Sequence, residues 1–168
     1  HKYSQTSPLK NILTFLGVGI SAIVLLIIFA GGFSPTEKLV GPDGNPMQAV
    51  VYKSPTCGCC GNYVSYLKSR GLKVVVVDTE DMASVKTKYK IPAELGSCHT
   101  TVIGQYVAEG HIPFEVIKKL VTEKPAIAGI ALAGMPSGSP GMPGVKYLPF
   151  EILSISITGE DAVIFMEL

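Results

Sequence analysis

The chain has 168 residues, 47% of them apolar and only 16% charged, with a formal net charge of +1 and a mean hydropathy of +0.38. That hydropathy is high for a soluble domain and points to a membrane segment. Of the 14 Lys and Arg, Lys2 and Lys10 precede the longest apolar run, so the rest carries 12 against 13 Asp and Glu; without a basic stripe, nucleic acid is excluded as a partner.

No charged residue lies between Lys10 and Glu37, and Ile12 to Phe29 is mostly Ile, Leu, Val, Phe, Gly and Ala. About 20 such residues in a helix cross a ~30 Å hydrocarbon core. Residues 1–33 are therefore predicted to be an N-terminal segment and one transmembrane helix. Lys2 and Lys10 on its N-terminal side predict a single-pass inner-membrane protein whose C-terminal domain lies in the periplasm. The competing reading is a cleaved secretory signal, for which Phe29-Ala30-Gly31-Gly32 offers a small-residue site. The apolar run is longer than a usual signal core, which favours a retained anchor. His1 is not an initiator Met, so the natural N-terminus is expected to be missing or processed.

Residues 34–47 read as a Gly-, Pro- and Ser-containing linker, and 48–168 as one domain. Gln48–Tyr52 predicts a buried strand. Gly61–Arg70 places Tyr63, Val64 and Leu67 at helical spacing, with Gly71 as the stop. Leu72–Val77, with its run of valines, predicts a central strand, and Thr79–Tyr89 a helix with Met82, Val85 and Tyr89 on one face. Thr100–Ile103 and Tyr106–Ala108 flank Gly104-Gln105 and predict a hairpin. Pro113 opens a helix running to Glu123, which Pro125 ends. Ala126–Gly144 reads differently, because it contains Gly134-Met-Pro-Ser-Gly-Ser-Pro-Gly-Met-Pro-Gly144, too dense in Gly and Pro for a helix or central strand; Glu151–Ile157 and Ala162–Met166 predict a second hairpin. The order βαβα, then ββα, leads to an α/β expectation: a thioredoxin-like domain with a Gly/Pro/Met loop and a C-terminal β-hairpin extension, preceded by one transmembrane helix.

All four cysteines fall in two short motifs, Cys57-Gly-Cys-Cys60 and Cys98-His99. The first lies between a strand and a helix start, where backbone N–H groups and the helix dipole favour thiolate. On that ground Cys60, nearest the expected helix start, is assigned the most thiolate character. A structural disulfide framework is one reading. Against it, three cysteines within four residues do little to cross-link distant chain. A thiol–disulfide oxidoreductase using Cys57 and Cys60 is the alternative function; it leaves Cys59 and Cys98 unexplained. Copper accounts for more: Cu(I) prefers thiolate, thioether and imidazole, and His99, His111, Met135 and Met142 lie in or beside loops. A Cys₃His zinc site suits some of the same residues, but zinc needs no Met, and bridging thiolates are characteristic of Cu(I). With four thiols brought together, a bridging sulfur can serve two ions, so more than one Cu(I) per chain is expected.

The strings Tyr52-Lys-Ser-Pro-Thr-Cys-Gly-Cys-Cys-Gly61, Asp81-Met82, Pro92-Ala-Glu-Leu95, Ser97-Cys-His-Thr100, Tyr106-Val-Ala-Glu-Gly-His111 and Gly134-Met-Pro-Ser-Gly-Ser-Pro-Gly-Met142 closely resemble the exported metal-binding family called domain of unknown function 411, which includes bacterial copper-resistance proteins. The resemblance runs from about Ala49 to Phe165, in order and almost without gaps. It implies a thioredoxin-like fold and copper binding in the periplasm. The implied metal ligands are Cys57, Cys59, Cys60 and Cys98, with His99, His111, Met135 and Met142 in support. The transmembrane anchor departs from simple secreted members and points to a tethered copy, or an accessory subunit of a membrane copper enzyme or copper-transport partner. Resistance, storage or delivery of copper is the expected role.

Overall fold

The computed structural model describes residues 38–168. Seven strands and three helices follow one another in this region: β1 (Gln48–Lys53), α1 (Gly58–Ser69), β2 (Lys73–Asp78), α2 (Met82–Lys88), a single 3₁₀ turn (Ala93–Leu95), β3 (His99–Ile103), β4 (Tyr106–Glu109), α3 (Phe114–Glu123), β5 (Gly129–Ala131), β6 (Glu151–Ile155) and β7 (Ile164–Glu167). The strands form one mixed sheet in the order β2-β1-β3-β4-β5-β6-β7. β1 is parallel to β2 and β4 to β5, while the remaining neighbours run antiparallel.

Successive side chains on a strand point to opposite faces, and the two cores follow that alternation. Ile103, Ala108, Ile130 and Ile152 join the larger cluster, with Tyr63, Val64 and Leu67 of α1 and Val116, Ile117 and Leu120 of α3. Their immediate neighbours Val107 and Ala131, together with Ile155, turn to a smaller cluster with Ile91 and Leu95 of the segment after α2. Each fully buried aliphatic of α3 contributes about 1.5–3 kcal/mol by leaving water. Lys124, at φ 51°, ends α3 in the left-handed conformation and its N–H returns to the Leu120 carbonyl. Pro113 stands at the helix's N-cap position, in agreement with the sequence.

Three expectations are corrected. The valine run is an edge strand rather than a central one: β2 ends the sheet beside β1, and Val75 is 39% exposed. The far side of β1 is taken by β3, so no strand covers the outer edge of β2 among the described residues. Second, the stretch 126–144 does hold a central strand, because Gly129–Ala131 forms β5. A Cβ at Gly129 would collide with the Val107 carbonyl, so glycine is what lets β5 approach β4.

Third, the thioredoxin-like domain with an appended hairpin is not the architecture observed. β5 joins β4 to β6 and thereby makes the C-terminal hairpin the last two strands of one continuous seven-stranded sheet. No described helix is long and apolar enough to cross a membrane; the transmembrane helix expected within 1–33 lies outside the described residues.

Candidate metal centre

β1 runs into a tight turn in which the Cys57 N–H donates to the Ser54 carbonyl at 3.1 Å and the Thr56 N–H to the Ser54 hydroxyl at 3.4 Å. That turn delivers Cys57 to the N-cap position of α1. The helix begins at Gly58, before the Gly61 expected from periodicity, so Cys59 and Cys60 lie in its first turn. Cys57 and Cys60 are joined in a disulfide, so the expectation that Cys60 has the most thiolate character concerns the reduced chain. Cys59 and Cys98 remain free thiols. Cys59 Sγ lies 3.5 Å from Cys57 Sγ.

The other half comes from the sheet. Cys98 immediately precedes β3, and its Sγ lies 3.3 Å from His99 Nδ1 and 3.2 Å from His111 Nε2. His111 follows β4 by two residues, and the Gly110 N–H donates to the His99 carbonyl at 3.1 Å, tying the two segments together. His111 Nδ1 is 2.7 Å from the Pro140 carbonyl. A carbonyl can only accept, so Nδ1 carries the proton and Nε2 presents its lone pair to Cys98. Tyr63 of α1 closes the site from behind: its ring centroid is 4.5 Å from that of His99 and 5.5 Å from that of His111, and its hydroxyl donates to the Ile112 carbonyl at 2.9 Å.

The sulfurs of Cys57, Cys59, Cys60 and Cys98 all lie within 4.8 Å of one another, and so do the ligand atoms of Cys98, His99 and His111. Cys98 is the member common to both groups. Burial, reinforced by the neighbouring Cys59 thiol, pushes the Cys98 thiol up to about 11. Burial, with His111 and Lys86 nearby, pulls His99 down to about 3, and burial also lowers His111. Both imidazoles are thus held neutral, the form that binds metals.

His99 Nε2 is buried with no hydrogen-bond partner among the described residues. His99 meets Cys98 through its other ring nitrogen, Nδ1, and a donor set of thiols and imidazoles free of carboxylate fits a soft ion such as Cu(I). The methionines stand differently. Met135 is 41% exposed and Met142 half-buried. Their loop reaches the site through Pro140 and through Gly141, whose carbonyl accepts from Asn62 Nδ2 at 3.4 Å. Gly141 has φ +83°, and a Cβ there would lie 2.7 Å from Tyr63 N, so only glycine lets the loop lie on α1. An open groove of about 670 Å³ elsewhere, lined by Leu132, Pro136, Tyr147 and Phe150 among others, holds none of the cysteines or histidines.

Tyr63 and Pro140 were not singled out from the sequence. Tyr63 reads there as an ordinary core position of an amphipathic helix, and nothing local links Pro140 to a histidine 29 residues earlier.

The sequence profile described as "Protein of unknown function, DUF411" matches residues 95–142. Two solved structures, forms 2 and 1 of copper resistance protein CopG, align with TM-scores of 0.69 and 0.68 at 35% identity, covering 74% of this chain and 99% and 98% of theirs. None of the curated proteins matches the chain.

Proposed function

The chain belongs to the family described as protein of unknown function DUF411, and from that premise we propose that it handles copper by binding Cu(I) on Cys57, Cys59, Cys60 and Cys98, with His99 and His111 completing the site. The observation that carries this reading is the convergence of four sulfurs and two neutral imidazoles on two groups that share Cys98. Thiolates and imidazoles are soft donors, and no carboxylate competes within either group. Met135 and Met142, on the loop that reaches His111 through Pro140, would add only weaker, neutral thioether donors.

The Cys57–Cys60 disulfide defines what must happen before all four sulfurs can bind. Opening it consumes two electrons and two protons from a thiol-class reductant, and Cu(I) then displaces the protons of the resulting thiols. In the opposite direction, the dithiol passes one electron to each of two Cu(II) ions, closing the disulfide and releasing two protons. Either direction suits resistance, storage or delivery, and the solved relatives are copper resistance proteins. A disulfide is at home in an oxidising compartment, which supports a periplasmic location.

The same disulfide favours a second reading, thiol–disulfide exchange at Cys57 and Cys60. The deciding experiment titrates fully reduced, metal-free protein with Cu(I) against a chromophoric chelator and counts alkylatable thiols before and after. More than one Cu(I) per chain, with the cysteines protected from alkylation, is the expected result. Absence of Cu(I) binding, together with brisk reduction of model disulfides that Cys57→Ser abolishes, would install the oxidoreductase instead.

A further inference from the structure

Glu109 ends β4 and is fully buried, on a strand whose four residues are all buried. A carboxylate there is costly unless every oxygen is engaged. Its oxygens are indeed engaged. Oε1 forms a close ion pair with Lys86 of α2 and accepts from the Ser97 N–H at 2.6 Å; Oε2 accepts from the Thr100 hydroxyl at 2.6 Å. Ser97 and Thr100 bracket Cys98 and His99. Thr100 is also the residue directly opposite Glu109 across the β3–β4 pair.

The next two residues continue the grip. Gly110 has φ +79°, and a Cβ there would lie 2.6 Å from the Leu132 carbonyl and 2.8 Å from Ser97 Oγ. His111 then meets Cys98. An apolar side chain at 109 would fill the space without a desolvation cost, but it could bind neither the Ser97 N–H nor the Thr100 hydroxyl. What the carboxylate adds is a fixed clamp on both ends of the Cys98-His99 dipeptide, with Lys86 as its counter-ion.

We propose that Glu109 is a positioning residue for the metal centre: by holding the Ser97 N–H and the Thr100 hydroxyl, it sets Cys98 Sγ at the point shared by the α1 thiols and the histidines. The proposal deepens the copper reading and rests on it for the identity of the ion. Hydrogen-bonding partners that orient a ligand are worth about 10–100-fold in metal affinity, and a clamp acting through the backbone belongs to that class.

The experiment compares wild type, Glu109→Gln, Thr100→Val and the double variant Lys86→Met/Glu109→Gln. Three readings are taken: Cu(I) affinity by chelator competition, alkylation rate of Cys98 relative to Cys59 in reduced metal-free protein, and the thermal midpoint. Glu109→Gln is expected to weaken Cu(I) binding about tenfold and to speed Cys98 alkylation relative to Cys59. Thr100→Val, which leaves the ion pair alone, is expected to do the same to a smaller degree. The double variant removes the unpaired, half-buried charge of Lys86, so its thermal midpoint returns toward wild type while affinity and Cys98 reactivity stay as in Glu109→Gln. Recovery of all three together would mean that the pair serves stability alone and would overturn the proposal. So would wild-type Cys98 reactivity in Glu109→Gln, or in Thr100→Val should Glu109→Gln fail to fold. Wild-type protein that binds no Cu(I) would remove the copper reading, yet the alkylation comparison on metal-free protein would still decide whether Glu109 holds Cys98.

Discussion

Cys57, Cys59 and Cys60 come from the N-cap position and first turn of one helix, whereas Cys98, His99 and His111 come from the start of β3 and the segment after β4. The helical half holds three sulfurs in four residues, and one turn of helix brings Cys57 and Cys60 close enough for a disulfide. It can therefore gain or lose two electrons with no movement of distant chain. The sheet half is fixed from several sides: His99 by the Gly110 N–H, His111 by Pro140, and the residues flanking Cys98 by Glu109. Its histidines are fully buried. In the proposed reading, the helical half exchanges electrons and the sheet half sets the geometry of the site.

The largest effect should come from removing the one residue that both ligand groups contain. Cys98→Ser is expected to lower Cu(I) affinity by more than the about tenfold loss assigned to an orienting partner, and to reduce the number of ions bound. Cys60→Ser should also disrupt the site, by removing a buried sulfur of the helical half. Chelator competition with metal analysis of the bound fraction checks both. A Cys98→Ser protein that keeps wild-type stoichiometry would show that the two halves act separately.

Next in size is a redox effect confined to the helical half. Oxidised wild type should show two reactive thiols, Cys59 and Cys98, and two more after reduction. Cys57→Ser should give the same count before and after reduction and should lose stoichiometric reduction of Cu(II). A thiol count with and without reductant, and trapping of Cu(I) by a selective chelator, measure the two quantities. A variant that still reduces two Cu(II) per chain would place the electrons on another pair of sulfurs.

The third effect falls on the wall of the sheet half. Tyr63 is fully buried and touches both imidazole rings. Tyr63→Ala is expected to cost about 3–5 kcal/mol of stability, as other large aromatic truncations do. Tyr63→Phe keeps the ring and loses only the bond to the Ile112 carbonyl, about 0.5–1.5 kcal/mol. Denaturant unfolding of metal-free protein separates the two. If Tyr63→Phe is as damaging as Tyr63→Ala, the hydroxyl rather than the ring supports the site.

The sequence exposed the chemistry of this site more fully than the architecture around it. Cysteine and histidine announce themselves by residue type, so both motifs could be found with no knowledge of the sheet. Strands and helices with long apolar patterns were legible too, α3 above all, because Val116, Ile117, Leu120 and Val121 repeat at helical spacing. β5 was hidden because Gly129-Ile-Ala131 is too short to show a period and sits beside a Gly/Pro-rich stretch. The valines of β2 read alike whether a strand lies on one side or on both. The early start of α1 was masked because Gly58, Cys59 and Cys60 carry no helical signal of their own. Glu109 was hidden too: the predicted strand stops at Ala108, and the Glu109 partners Lys86, Ser97 and Thr100 are scattered along the chain.

The smallest expected effect lies on the loop that touches both halves. Met135 sits at φ 49° and is 41% exposed, so its side chain has little packing to fix it. Its thioether carries no charge and gains no proton-release advantage when it binds, unlike a thiol. Met135→Leu keeps the apolar bulk while removing the sulfur, and should weaken Cu(I) binding without changing the number of ions held. The stability of metal-free protein should not change measurably, because an exposed volume-conserving replacement disturbs no core contact. Chelator competition on Met135→Leu and Met142→Leu side by side tests this, since Met142 follows Gly141, where the loop lies against α1. Loss of a whole equivalent of Cu(I) in either variant would make the loop a third structural part of the site, equal to the helix and the sheet.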